Sequence, residues 1–215
     1  MGYTKGFAAS RYLRSFWASK IRRRFPSFRL KETEVVRIEP FVPGRRSQRA
    51  KAQSLSVLDF EVVDDRHSRT KPIFYIELKT GPGSIENMKK FQLDLNDWND
   101  VATVCNKYGL PAYFFHAKVN EEYLGPTRRS LAKGLWWTDC FTLDRNRKSI
   151  QPRRGEDKYA AYYRATAFRP KADFLEELGT HGYESLRRRL KKRPLRRVTP
   201  QTYTIRGKGQ TKKKH

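Results

Sequence analysis

The feature that most constrains this chain is the stretch covering residues 54–79. It reads SLSVLDFEVV, then a polar DDRHSRTK, then PIFYIELKT. Two arms rich in β-branched and aromatic residues around a polar turn predict a hairpin. Successive side chains of a strand take opposite faces. Leu55, Val57, Asp59, Glu61 and Val63 therefore share one face of the first arm, and Ile73, Tyr75, Glu77 and Lys79 share one of the second. With Val63 opposite Ile73, Asp59 falls opposite Glu77. Charges two apart on a strand ordinarily mark a solvated face. Here two carboxylates and a lysine would meet on a largely apolar hairpin, and carboxylates that close repel unless a proton or cation intervenes. Oxygen-only donors favour magnesium or manganese as that cation.

The charge balance names the class of partner. The 215 residues hold 47 Lys and Arg against 22 Asp and Glu, a formal net charge of +25. That excess points to a polyanion, with nucleic acid first. An anionic membrane surface competes, but no long apolar segment could insert in one. No apolar run follows the basic residues at the N-terminus, so no secretory signal is expected. Cys105 and Cys140 are too few for a disulfide framework, and no CxxC or clustered His suggests zinc. The expected location is intracellular, cytoplasmic or nucleoid-associated.

Residues 7–25 read as an amphipathic helix with Phe7, Tyr12 and Phe16 on its apolar face, and Pro26 lies just past its end. The Arg22, Arg23, Arg24 run is either a phosphate contact or a solvated helix end. Residues 34–38 form a short candidate strand. Glu32, Glu34 and Glu39 stand out as acids in a basic neighbourhood; one could reach the metal site, and nothing selects which. Residues 44–53 carry Arg45, Arg46, Arg49 and Lys51, a basic loop able to lie along a DNA backbone. Gly81-Pro82-Gly83 forces a turn. Ser84 then serves as N-cap, with Glu86 in the first turn, of a helix whose stripe is Met88, Phe91, Leu95, Trp98 and Ala102. Lys89 and Gln92 flank that stripe. Residues 112–119, AYFFHAKV, make a further strand.

The order helix, strand, two-stranded hairpin, helix, strand, with Asp59 and then Glu77-Leu78-Lys79, resembles the PD-(D/E)XK nuclease superfamily. That superfamily includes many restriction endonucleases, Holliday-junction resolvases and RecB-like nucleases. The resemblance covers about residues 7–119. Gln92 looks like the helix glutamine of the RecB-like branch; Trp98 is the nearest aromatic where that branch has a tyrosine, and Leu58 stands where the family usually has proline. The resemblance implies an α/β fold: a restriction-endonuclease-like αβββαβ core, with a central mixed sheet flanked by helices and a basic C-terminal extension. It implies Mg²⁺, or Mn²⁺, held by Asp59, Glu77 and the Leu78 carbonyl. Lys79 would act on the attacking water and on negative charge, and Gln92 would join the catalytic set. Glu61, on the face of Asp59, could assist or replace it. Homodimers that cut both strands are common in such enzymes.

Beyond residue 120 the residues speak alone. Residues 125–137 combine Arg128 and Arg129 with Trp136 and Trp137, which face opposite ways on a strand; core is the favoured role for either. His116 on the last core strand, and His67 in the hairpin turn, are each more ordinary as structural or surface residues. Arg187, Arg188 and Arg189 sit in an RRRLKKR run, and the chain closes on TKKKH. The expected organisation is a nuclease-like core over 1–120, a basic and aromatic extension over 121–193 packed on it, and a flexible basic tail over 194–215 that adds salt-dependent affinity. The expected function is a Mg²⁺-dependent DNA endonuclease, restriction-like or structure-specific. The alternatives are a non-catalytic nucleic-acid-binding protein with a nuclease-like core, and an RNA-directed nuclease or ribonucleoprotein component.

Overall fold

The computed structural model describes residues 2–33, 36–37, 54–55, 58–66, 71–124, 127–153 and 158–199. Helix α1 (Gly2–Phe16) continues through a π-helical turn (Trp17–Ile21) into α2 (Arg22–Arg24). Strands β1 (Phe28–Glu32), β2 (Val36–Arg37), β3 (Ser54–Leu55), β4 (Phe60–Asp64), β5 (Pro72–Gly81) and β6 (Lys90–Asp94) follow. Then come α3 (Leu95–Tyr108), β7 (Ala112–Leu124), β8 (Thr127–Asp139), α4 (Cys140–Arg145), β9 (Arg147–Pro152), β10 (Tyr159–Arg164) and β11 (Arg169–Pro170). Helices α5 (Phe174–Gly179) and α6 (Gly182–Lys192) close the described structure.

The main sheet has six strands in the order β1-β4-β5-β7-β8-β11. Only β5 and β7 pair parallel within it, so the sheet is mixed. The expected αβββαβ core is present as α1, β1, β4, β5, α3 and β7. A second sheet, β6-β10-β9, lies with α3 on the other side from α1.

Alternation along the strands builds two cores. Phe74, Ile76, Tyr113, Phe115 and Trp137 face α1 and α5, where Phe174 meets the rings of Phe115 and Trp137 at 5.0 Å. Tyr75, Ala112, Phe114 and Trp136 face the other way, toward Trp98, Val101 and Cys105 of α3 and toward Phe91 and Tyr163 of the small sheet. Both tryptophans are therefore core. Each indole N–H is used: Trp136 donates to Glu86 at 3.0 Å and Trp137 to the Pro170 carbonyl at 3.0 Å.

Several sequence expectations shift. The first helix buries Ala9, Leu13, Phe16, Trp17 and Ile21 and leaves Phe7 71% exposed, so its apolar face is not the one through Phe7. The strand expected at 34–38 lies mainly earlier, at β1. The helix expected from Ser84 begins at Leu95. Before it, Phe91, Leu93 and Leu95 are buried while Lys90 and Gln92 are exposed, an alternation of two that pairs with β10. Met88, Phe91 and Leu95 fit a helical spacing equally well, which is why the pattern misleads. The boundary at 120/121 falls inside β7, and β8 pairs along it, so the C-terminal part completes the core sheet rather than extending it. The tail expected to be free from 194 is held against α3 as far as Thr199.

Asp139 caps α4 by accepting the Phe141 and Thr142 N–H groups, each at 2.9 Å. Asp139→Ala should lower stability by about 1–2 kcal/mol. Urea unfolding would show this as a lower midpoint at unchanged slope.

Candidate active site

The hairpin sets the site. Phe60 pairs with Ile76 and Glu61 with Tyr75. Continued one position, that register brings Asp59 beside Glu77, as the alternation requires. A bulge at Val62/Val63 changes the pairing further out, so Val63 meets Pro72 rather than Ile73.

Strand β4 begins at Phe60, leaving the Leu78 N–H on that edge without a ladder partner. The Asp59 carboxylate takes it, with Oδ2 accepting at 2.7 Å. In an extended strand a residue's N–H and C=O face the same edge, so the Leu78 carbonyl lies on the side of Asp59. The Asp59 backbone is fixed in turn by the Thr33 N–H donating to its carbonyl at 3.2 Å.

Glu77 is 6% exposed, on the α3 face of β5. Burial pushes its pKa up to about 8; Lys79 opposes this and Asp59 adds to it. Asp59 is exposed as a residue, yet its carboxyl is what ionises, and crowding of that group raises its pKa. The Leu78 N–H and the Lys79 charge pull it down, and Asp97 pushes it up.

The Lys79 ammonium lies 2.7 Å from Glu77 Oε1 and 2.6 Å from Asp97 Oδ2. Burial alone would lower its pKa; the charges of Glu77 and Asp97 outweigh that and raise it. The rise at Lys79 draws on an ionised Glu77, whereas burial keeps Glu77 protonated toward pH 8. Asp97, more exposed than Glu77, supplies the counter-charge that keeps Lys79 cationic either way, so Glu77 is the group that titrates.

Asp97 was not among the residues singled out in the sequence. It lies in the first turn of α3, and a helix drawn from Ser84 hides that. The available signal was the run of acids Asp94, Asp97 and Asp100 at spacings of three in an otherwise basic chain.

These groups open onto a cleft of about 330 Å³ lined by Lys79, Gln92, Asp94, Asp97, His116 and Arg153 among others. Gln92 thus reaches the site, from β6 rather than from a helix. His116 stands beside Lys79 in the sheet register. It is buried, with Nε2 3.0 Å from the Gly83 carbonyl. A carbonyl only accepts, so Nε2 carries the proton. Burial lowers the His116 pKa.

Glu61 faces Tyr75, one rung from Glu77; burial first, then the Glu61 charge, pushes the Tyr75 hydroxyl up to about 12. Glu32 is paired with Arg14. Glu34, Glu39, His67, Arg45, Arg46, Arg49 and Lys51 lie outside the described residues. Arg128 and Arg129 lie on β8, with their side chains outside the description. Lys89, Arg187 and Arg188 are exposed, whereas Arg189 lies over the Phe141 ring at 4.2 Å.

Among the described residues, no three His, Cys, Asp or Glu side chains gather as a metal-binding group. The donors that converge are two carboxylates and the Leu78 carbonyl, all oxygen. That set fits a small hard cation that keeps several waters.

No family model matches the chain, and no curated protein matches it in sequence. Two solved structures are similar. One is D212, a nuclease from a fusselovirus, at 11% identity and TM-score 0.45, covering 86% of this chain and 95% of that one. The other is Hjc, a Holliday junction resolvase from the archaeal hyperthermophile Archaeoglobus fulgidus, at 12% identity and TM-score 0.38, covering 77% and 98%. Neither likeness assigns a residue or an activity here.

The Glu77 shift fixes the sign of a pH effect. Its folded pKa is raised, so the stability linked to its protonated form is complete below the ordinary value of 4.5 and is lost as pH rises toward about 8. Glu77→Gln should remove that loss. In EDTA, the melting temperature of the variant relative to wild type should climb between pH 5 and pH 8.5. A flat difference across that window would contradict the assignment.

Proposed function

We propose that the protein is a divalent-metal-dependent DNA endonuclease. The observation that carries this reading is the cluster of Asp59, Glu77, Asp97 and Lys79, three acids around one ammonium in a chain of net charge +25. A chain that needed only to hold nucleic acid would gain nothing from placing a buried acid beside two more at one cleft.

Asp59 and Glu77, with the Leu78 carbonyl, are the donors for Mg²⁺ or Mn²⁺. A bound ion would supply charge neutralisation and a more acidic water. The chain's own residues do the rest. Lys79, kept charged by Asp97, is a positioning and electrostatic group for the scissile phosphate rather than a base. Asp97 acts through Lys79 by fixing where the ammonium sits. Gln92 offers a neutral donor and acceptor at the cleft mouth.

Structure-directed cleavage is favoured over reading a base sequence. The C-terminal half supplies β8 to the core sheet and presents Arg187 and Arg188 outward, a pattern suited to backbone contact. Cutting both strands would call for a homodimer.

The test is incubation of the purified chain with duplex DNA, branched DNA and RNA, with Mg²⁺ or EDTA. Cleavage of DNA with Mg²⁺ alone is expected, and branched DNA should be cut faster than linear duplex. Lys79→Ala should abolish cleavage while duplex affinity stays within a few-fold. Asp97→Asn should slow it by about 10- to 100-fold, as for other groups that orient a site residue. Binding without metal-dependent cleavage of any substrate would leave a nucleic-acid-binding protein instead.

A further inference from the structure

The segment after α6 is built onto α3 with unusual completeness. The Asn106 side chain donates to the Leu195 carbonyl at 2.8 Å and accepts the Leu195 N–H at 2.9 Å. Asn99 does the same for Val198, at 2.9 and 2.7 Å. Between them the Trp98 indole donates to the Arg196 carbonyl at 3.1 Å. Leu195 and Val198 are buried in the α3 core, at 4% and 6% exposure. Arg193, Arg196 and Arg197 point outward and are exposed.

The direction of this strap matters. Asn99 and Asn106 are seven residues apart, about 10 Å along a helix at 1.5 Å per residue. Leu195 to Val198 covers that distance only when nearly extended, at about 3.3 Å per residue. The strap therefore runs straight along α3, from its C-terminal end to its N-terminal end. There Asp97 holds Lys79, and Trp98 and Asn99, which anchor the strap, follow Asp97 directly. The charge of Arg197 reaches Asp100, whose pKa is raised by burial and by Asp97 and lowered by Arg197.

We propose that residues 193–199 are a DNA-backbone clamp, a strap that α3 holds in place so that Arg196 and Arg197 meet duplex phosphates beside the candidate active site. The proposal rests on the nucleic-acid reading above and adds where the duplex lies. One arm runs from the cleft, over the N-terminal end of α3, to the exposed Arg187, Arg188, Lys191 and Lys192 of α6. Basic residues in a free tail would add affinity from any position. A docked strap adds it only while docked.

That difference is measurable. Anisotropy of a labelled DNA duplex, titrated with the full chain in EDTA over a range of salt, gives the slope of log affinity against log salt. Each phosphate contact contributes about 0.9 to that slope. Arg196→Gln/Arg197→Gln should flatten it by about 2. Asn99→Ala/Asn106→Ala removes no charge, yet it should flatten the slope in the same direction by releasing the strap. An unchanged slope in the arginine pair overturns the clamp. So does an unchanged slope in the asparagine pair if its melting curve stays cooperative; should that pair fail to fold, the arginine pair decides alone. Absence of duplex binding by wild type also overturns it. Failure of the nuclease reading looks different: wild type would bind with the full slope, both variants would flatten it, and Mg²⁺ would bring no cleavage.

Discussion

One ammonium between two carboxylates ties the molecule's chemistry to its fold. Lys79 belongs to the central strand β5, and Asp97 belongs to the helix that carries the chain over to β7. Their contact fixes strand and helix against each other at the mouth of the cleft. It also leaves Glu77, buried below, dependent on that same cation for any charge balance. Asp59 completes the group from the neighbouring edge, by capping a Leu78 N–H that the shorter strand β4 leaves unpaired. Each of these positions follows from where a strand or helix starts. Polar side chains here are held by backbone edges more than by other side chains.

The hairpin was legible because its signal is local and doubly stated. β-branched residues mark both arms, and the period of two puts Asp59 and Glu77 on one rung. The bulge at Val62/Val63 was not legible, since a bulge changes pairing without changing composition. The segment 84–95 was ambiguous in principle: its apolar residues satisfy a spacing of three to four and also an alternation of two. Tertiary pairing with β10 chose the strand, and that choice moved Gln92 from a helix to a strand and exposed Asp97 as a site residue. The first helix was found but its buried face was not, because Leu13, Trp17 and Ile21 compete with Phe7 for the core and win.

The C-terminal half shows a different limit of sequence. Basic residues dominate residues 182–199, so composition alone reads them as surface and tail. Leu195 and Val198, three apart, carry little periodic weight. What orders the strap is a pair of asparagines nearly a hundred residues earlier in the chain, each reading one residue's peptide N–H and C=O. Long-range pairing of that kind leaves no local pattern. The result is a basic surface attached to the same helix that positions Lys79, which joins binding of a polyanion to the chemistry of the cleft.

The central claim is that Asp59 and Glu77 together hold a divalent cation. It is tested most directly by calorimetric titration of Mn²⁺ into the metal-free full chain at pH 7, in two buffers of different ionisation enthalpy. A saturable site is predicted, with a buffer-dependent heat that reports proton release as Glu77 ionises. Asp59→Asn/Glu77→Gln should abolish both the site and the proton release. No saturable binding by wild type, or undiminished binding by the double variant, would contradict the account.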